Sequence, residues 1–245
     1  MSEIHQERTR RDVAAALPGP VELADGLARW FADQQPRTGR PTVVFGARSG
    51  AAGFSGETVP FDLHWGSADG HPPQRFVLKR APTHDPHPLF PTYDLGRQAA
   101  AIDLVSRFSE APVPPVAGWE PDPGVLGSSF LVMERLDGVV APDMPPYTFG
   151  GWLREAAPDE RREVERSFVA ALHRAAPADL SSLEIDAPGD TSLRRHVAHQ
   201  RAYYDWIRGD RRFSLIEEVF GWLADRWPVD EGPDGLVWGD ARLAN

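Results

Sequence analysis

Strand-like segments lie in the first part of this 245-residue chain, and helix-like segments dominate the rest. Alternating apolar residues or short β-branched and aromatic runs predict strands at residues 42–47, 57–65, 75–80 and 129–134. Apolar residues at helical spacing predict later helices at residues 158–175, 191–207 and 214–227. A strand-rich part followed by a helical part indicates an α+β protein.

Two further helices are expected before the helical part. The inner face of the first, over residues 21–34, carries Leu23, Leu27, Trp30 and Phe31. The inner face of the second, over residues 95–108, carries Ile102, Val105 and Phe108. The proline-rich stretch 111–123 is expected to be irregular.

Local signals also predict how the later helices begin and what their histidines do. Thr191 can cap the helix that follows it, and Ser214 with Glu217 forms a capping box for the next one. The histidines of these helices are expected to be core, capping or surface residues rather than ligands, namely His173, His196 and His199.

Composition excludes several classes of function. A formal net charge of −10 argues against nucleic acid as a main partner, because phosphate binding needs a basic surface. The chain has no cysteine, which excludes disulfides, thiol catalysis and thiolate metal sites. No apolar run approaches the roughly 18 residues of a membrane span, and the charged start leads into no signal core. We therefore expect a cytoplasmic protein without nucleic-acid or membrane partners, whose acidity suits cationic substrates.

The last ten residues, from Leu236 to Asn245, place a carboxylate and an amide in a polar loop after a short apolar run. Phosphoryl transfer needs a carboxylate to orient the attacking hydroxyl and oxygen ligands to hold magnesium on the phosphates. Asp240 suits the first role and Asn245 the second, and Arg242 can face the transferred phosphate. The alternative is a surface turn, because Gly and Asp are ordinary turn formers.

A glycine-rich loop joins the first two predicted strands, with glycines at 46, 50, 53 and 56. Glycine lets a backbone turn tightly and approach a phosphate without a Cβ in the way. The loop matches neither the Walker pattern nor Gly-x-Gly-x-x-Gly, so a flexible hairpin loop remains the alternative.

Lys79 is the only lysine of the chain and lies within the strand predicted at residues 75–80. All other residues in the combined total of lysine and arginine are arginines. A compact ammonium suits a point-charge contact with an α- or β-phosphate in a confined site, where a planar guanidinium does not. The alternative is a chance surface lysine.

The segment Trp-Gly-Asp-Ala-Arg-Leu-Ala-Asn at residues 238–245 resembles the catalytic loop of aminoglycoside phosphotransferases and choline kinases, within the protein-kinase-like superfamily. The subgroup it most resembles includes phosphotransferase domains associated with acyl-CoA dehydrogenases. A glycine loop, a strand lysine and a strand followed by Asp-Gly precede it in the order typical of that family. The resemblance, over residues 42–245, implies a protein-kinase-like two-lobe fold. Its parts would be an N-terminal helical segment over 1–40, a strand-rich N-lobe over 41–134 and a partial helical C-lobe over 135–245.

The resemblance also implies ATP and Mg²⁺ as cofactors and a small-molecule hydroxyl as the acceptor. Asp240 and Arg242 would be catalytic, and Asn245 would bind the metal. The implied nucleotide-binding residues are Gly53, Phe54, Ser55, Gly56, Glu57, Lys79, Gln98, Glu134 and Leu136. At the hinge, formed by the last two of these, adenine would bond backbone groups. Gln98 stands where the family usually has a glutamate that pairs with the lysine, and it brings no charge.

The chain ends at Asn245, whereas in the family a second metal-binding aspartate and several helices follow the catalytic loop. We therefore expect this polypeptide to be the retained part of a longer enzyme and to be inactive alone. Uncovered apolar helix faces would then favour self-association through the incomplete C-lobe. The alternative function is a catalytically inactive kinase-like module for nucleotide binding or interaction, which Gln98 and the missing aspartate favour.

Overall fold

The structure is a computed structural model that describes residues 19–35, 39–46, 56–66, 72–82, 88–139, 141, 146–174, 179–237, 239–241 and 243. Its strands are β1 Thr42–Phe45, β2 Glu57–His64, β3 Gln74–Arg80, β4 Val116–Glu120 and β5 Phe130–Glu134. They form one sheet in the order β1-β2-β3-β5-β4, in which β1–β2, β2–β3 and β3–β5 are antiparallel pairs.

The helices of the described ranges are α1 Pro20–Gln34, α2 Leu95–Phe108, α3 Pro123–Leu126, α4 Trp152–Glu155, α5 Pro158–Arg174, α6 Ser192–Arg208 and α7 Ser214–Asp225. A 3₁₀ turn at Ser181–Leu183 lies between α5 and α6. Among the helices described here, none is both long and apolar enough to cross a membrane.

The chain divides into two compact units, residues 1–86 with 117–135 and residues 87–116 with 136–245. The first contains α1, α3 and the sheet except for the first residue of β4. The second contains α2, the 3₁₀ turn and the helices from α4 to α7. Contacts within each unit therefore group α2 with the later helices and α1 with the sheet.

The core of the first unit forms between α1 and one face of the sheet. The residues predicted for the inner face of α1 are all buried there, namely Leu23, Leu27, Trp30 and Phe31. The Phe31 ring lies 5.1 Å from that of Phe76, and the Trp30 ring lies 5.3 Å from that of Phe130. Because burying a large apolar side chain contributes about 1.5–3 kcal/mol, this helix contributes substantially to the stability of the sheet unit.

The prediction that residues 111–123 are irregular was wrong, because Val116–Glu120 forms strand β4. The preceding prolines lie outside the strand, and β4 takes an edge of the sheet, where fewer backbone N–H groups must pair. A Cβ on Gly118 would lie 2.7 Å from the Trp30 ring, so glycine lets β4 approach α1. The Trp30 indole N–H donates to Glu120 over 3.2 Å.

The predicted inner face of α2 is also partly wrong. Val105 is buried, and the other buried positions are Leu95, Ala99 and Leu104. Phe108 is instead 51% exposed, because it is the last residue of the helix.

The predicted helix caps had different outcomes. Thr191 caps α6 as predicted, because its side chain accepts a hydrogen bond from the backbone N–H of Arg194. The capping box at Ser214 was wrong: Phe213 is the N-cap of α7, and the Glu217 carboxylate binds Arg201 of α6 instead. Glu217 therefore pairs with a guanidinium of a neighbouring helix instead of capping the backbone of its own helix.

The apolar stripe predicted for α7 does not form a buried core within the described residues. Of the residues predicted for this stripe, Val219 is 46% exposed, and Phe220, Leu223 and Trp227 are only half-buried. His196 and His199 of α6 are exposed, as predicted for surface residues. The side chain of His173 lies outside the described residues.

Candidate functional site

The end of the glycine-rich loop is held tightly against β3. Gly56 has φ +148°, and a Cβ there would lie 2.5 Å from the carbonyl oxygen of Arg80. Only glycine avoids both the backbone strain and the clash. The next residue, Glu57, begins β2 and pairs with Arg80 across the sheet. Gly53, Phe54 and Ser55, also predicted for this loop, lie outside the described residues.

Arg80 is a buried cation that the sequence analysis did not identify as part of the site. Its side chain donates to the Glu57 carboxylate through both Nε, over 3.1 Å, and Nη2. Its Nη1 donates to the carbonyl oxygen of Leu126 over 3.0 Å. Arg80 is only 6% exposed, so these partners compensate for the loss of hydration of its charge. The sequence signal that could have identified Arg80 is its position two residues after Leu78, which places both side chains on the inward-packing face of β3.

Lys79 points to the opposite face of β3. In the strand pairing it lies beside Thr58 of β2 and Leu131 of β5. It is half-buried, and burial lowers the pKa of its ammonium group below the usual value of 10.5. The desolvated environment differs from that of a chance surface lysine. Val77 and Met133 pair on the same face and extend its apolar surface.

The strand that leads to the predicted hinge is well anchored. Glu134 is the last residue of β5 and pairs with Phe76, while its side chain is exposed. The backbone N–H of the following residue, Arg135, donates to the carbonyl oxygen of Arg75, and its guanidinium ion-pairs with Asp62 over 3.4 Å. Leu136 begins the next segment of the second unit and is 55% exposed.

Gln98 lies in the first turns of α2, in the second unit. Asp94 caps this helix by accepting from the backbone N–H of Arg97. The Arg97 guanidinium donates to the carbonyl oxygens of Glu184, over 2.9 Å, and of Leu183. Arg97 therefore anchors α2 to the 3₁₀ turn, and the half-buried Gln98 is held on an ordered helix.

Asp240 occupies the centre of a tight turn in the second unit. The backbone N–H of Ala241 donates to the carbonyl oxygen of Gly239 over 2.9 Å, and Gly239 has φ +73°. This three-residue turn presents the Asp240 carboxylate on an exposed segment. Arg242 and Asn245 lie outside the described residues.

Metal binding was predicted for Asn245. Within the described ranges, no group of three or more His, Asp or Glu side chains is arranged to hold a metal ion. The metal-binding role of Asn245, which lies outside the described residues, stays a prediction from the sequence.

Comparison with protein families identifies a match over most of the chain. A model of the phosphotransferase enzyme family, APH, matches residues 65–245. The chain is also similar to a solved structure from Ralstonia eutropha JMP134, described as a candidate aminoglycoside phosphotransferase. That match has a TM-score of 0.52 at 20% identity, and it covers 90% of this chain and 59% of that chain. It shows a shared fold and, with the antiparallel sheet, confirms the predicted α+β, protein-kinase-like fold.

Curated relatives carry names of another enzyme class. The chain is 26% identical over 239 residues to the probable acyl-CoA dehydrogenase IBR3 of Arabidopsis thaliana, covering 90% of this chain. It is 28% identical over 212 residues to acyl-CoA dehydrogenase family member 11 of Gallus gallus, covering 84% of this chain. The chain spans 26% and 25% of those two proteins, about a quarter of their length. These names agree with the subgroup that the loop at residues 238–245 resembles.

Proposed function

Because this chain belongs to the phosphotransferase enzyme family, we propose that it transfers the γ-phosphate of ATP to a hydroxyl group of a small molecule. The observation that carries the proposal is the position of Lys79. The only lysine of the chain is half-buried in the middle of the sheet, on the strand that pairs with the end of the glycine-rich loop. In a phosphotransferase this arrangement suits a cation that contacts the α- and β-phosphates.

The glycine-rich loop and the hinge complete the nucleotide-binding part of the proposal. Residues 53–57 would cover the phosphates with backbone N–H groups, which glycines allow to come close. The backbone at Glu134 and Leu136 would bind adenine. Gln98, which stands at the position of the family's lysine-pairing glutamate, has a neutral amide and so brings no charge to the nucleotide site.

Asp240 is proposed to orient the acceptor and to take its proton. As the acceptor oxygen bonds to the γ-phosphorus, the bond from that phosphorus to the bridging β–γ oxygen breaks, and ADP leaves with the electron pair. The hydroxyl proton passes to the Asp240 carboxylate. Gly239, Asp240 and Ala241 are all exposed, which suits a segment that must meet an acceptor. Arg242 would lie near the γ-phosphate.

Magnesium, held by Asn245 together with phosphate oxygens, would neutralise charge on the phosphates. The amide oxygen is a hard ligand of the type that magnesium prefers, so the residue type fits the ion. A cytoplasmic location is part of the proposal, and the absence of cysteine is compatible with it.

A second function is a kinase-like module that binds nucleotide without turnover. The neutral side chain of Gln98, at the position of the family's charged partner for the lysine, favours it. The two functions differ in magnesium dependence and in ADP release, so one set of measurements separates them.

The test is a titration with ATP, with and without Mg²⁺, followed by a screen of hydroxylated compounds for ADP release. The screen should include amino sugars and hydroxylated acyl compounds, the latter because the curated relatives are named acyl-CoA dehydrogenases. Asp240→Asn should abolish turnover and leave ATP affinity nearly unchanged. The control is Asp234→Asn, in the exposed segment before the predicted catalytic loop, which should change neither turnover nor ATP affinity. Magnesium-independent binding with no ADP release from any acceptor would support the module instead.

A further inference from the structure

A cavity of about 400 Å³ lies within the second unit, beside the segment that carries Asp240. Leu243, three residues after Asp240, lines it, together with Arg154 of α4 and Arg161 of α5. Consecutive Cα atoms are 3.8 Å apart, so the Cα atoms of Asp240 and Leu243 are at most about 11 Å apart. The volume is within the roughly 300–1,000 Å³ of small-molecule sites.

The charged residues that line this cavity are two arginines and one acid, Glu165. The chain as a whole carries a net charge of −10, so a lining with more cations than acids differs from the rest of the molecule. Tyr147 and Thr148 add hydroxyl groups that can donate hydrogen bonds. The cavity therefore presents more donors and positive charge than acceptors and negative charge.

The pairing of arginines on α5 singles out Arg161. Arg162 pairs with Asp159, and Arg166 pairs with Glu163, each within one turn of the helix. Arg161 has Glu165 one turn further on, yet in the part of the chain that the structure describes its guanidinium is not ion-paired. The Arg154 guanidinium also has no side-chain partner within the described residues. Arg154 and Arg161 both line the cavity, and their guanidinium groups have no ion-pair partner among the described residues that would compete with a ligand.

We propose that this cavity holds an acidic group of the acceptor and that Arg154 and Arg161 select anionic hydroxyl compounds over neutral or cationic ones. The inference rests on the proposed function, because the hydroxyl of the same molecule would reach Asp240. A guanidinium binds a carboxylate or a phosphate through two parallel N–H donors, and such charge-assisted bonds are shorter and stronger than neutral ones. The acceptor would therefore differ from an amino sugar, whose ammonium groups two arginines repel.

The test measures binding directly, by calorimetry or ligand-observed NMR, and uses compounds that differ in charge. Gluconate, glucose and glucosamine form one set, and glycerol 3-phosphate with glycerol forms another. Gluconate or glycerol 3-phosphate should bind at least about tenfold more tightly than its neutral counterpart, because charge-assisted hydrogen bonds to a guanidinium are stronger than neutral ones. Comparing the two anions shows whether the site prefers a carboxylate or a phosphate.

Arg154→Gln and Arg161→Gln should each weaken binding of the preferred anion several-fold and leave ATP affinity unchanged. Arg162→Gln is the matched control, because this neighbour is on the same helix and pairs with Asp159. Anion affinity that is unchanged in both cavity variants, equal or tighter binding of the neutral or cationic compounds, or no binding of either anion would overturn the proposal. Anion binding that depends on both arginines, without ADP release from any acceptor, would refute the phosphotransferase function but leave the anion site standing.

Discussion

The Arg80 guanidinium is bonded on one side to the carboxylate of Glu57 and on another to the carbonyl oxygen of Leu126. Arg80 follows Lys79 directly, and Glu57 follows the glycine-rich loop directly. One buried charge therefore joins the ends of the two segments that are proposed to contact the phosphates, and it ties both to the C-terminal end of α3. Its removal should disturb the position of the glycine-rich loop as well as the stability of the sheet.

Replacing Glu57 by glutamine should destabilise the first unit by about 1–3 kcal/mol. The amide keeps the size of the side chain but leaves a nearly buried guanidinium without its counter-charge. Urea denaturation followed by tryptophan fluorescence measures the effect. Arg162→Gln, which breaks an exposed pair on α5, should change stability by less than about 0.5 kcal/mol. Equal, small effects of the two substitutions would show that the Arg80 pair adds little.

Gly26 and Gly221 both lie within helices, α1 and α7, and should respond in opposite ways to alanine. A Cβ on Gly26 would lie 2.5 Å from Leu126 Cδ2 and 3.1 Å from the Val125 carbonyl oxygen. Leu126 is fully buried, so it has little room to move, and overpacking should cost about 1–3 kcal/mol. Gly221 meets nothing within 4 Å, so alanine should stabilise α7 by about 0.5–1 kcal/mol. Thermal melts of both variants measure these changes in stability. A stabilising Gly26→Ala would contradict the close contact of α1 with α3.

How far the sequence predicts this fold depends on how local each signal is. The buried face of α1 was predicted correctly, because one short segment of sequence contains all the apolar residues whose helical spacing defines that face. Arg80 was missed, because its burial depends on Glu57 and Leu126, which are 23 and 46 residues away along the chain. A pattern within one strand cannot reveal partners of that kind.

The errors at β4 and α7 have the same physical origin. Prolines before β4 indicated an irregular segment, but an edge position in the sheet accommodates the strand that follows them. Ser214 and Glu217 have the spacing of a capping box, but Arg201 competes for the same carboxylate and offers a charged donor. Of the predicted site, Lys79 is half-buried on a strand and Asp240 lies in an exposed turn, and the roles of both remain predictions.

The Glu217 carboxylate should contribute to stability in a pH-dependent way. Its hydrogen bond with Arg201 lowers its pKa in the folded protein below the usual value of 4.5. Because the folded pKa is the lower one, the contribution is complete above the unfolded pKa and is lost as pH falls through the folded pKa. Denaturation at pH 7, 5, 4 and 3 should show the difference between wild type and Glu217→Gln shrinking with acid. Glu218→Gln, at an exposed neighbouring position, is the control for removing one acidic side chain from the same helix.

Lys79 should reduce stability while it supports nucleotide binding. Burial lowers the pKa of its ammonium in the folded chain, so between that lowered value and 10.5 the unfolded chain binds more protons. The contribution of Lys79 to the free energy of unfolding therefore rises with pH through this window. Below the window, the buried ammonium is charged and destabilises the folded chain by its full amount. Lys79→Met removes the charge and should be at least as stable as wild type at pH 7. The advantage of the variant should shrink as pH rises toward 10.5.

Substitution of Lys79 should have the opposite effect on the proposed function. ATP affinity should fall in Lys79→Met, because this variant has no ammonium to contact the phosphates. Lys79→Arg should bind ATP similarly weakly, because a planar guanidinium does not fit a point-charge site next to packed strands. Denaturation between pH 7 and 10 and ATP titration of the three proteins supply the two measurements. A variant that gains stability and loses ATP affinity marks a residue kept for binding at the expense of stability. If Lys79→Met instead lost stability at pH 7 and bound ATP as wild type does, Lys79 would be a structural residue, and the nucleotide site would have to lie elsewhere.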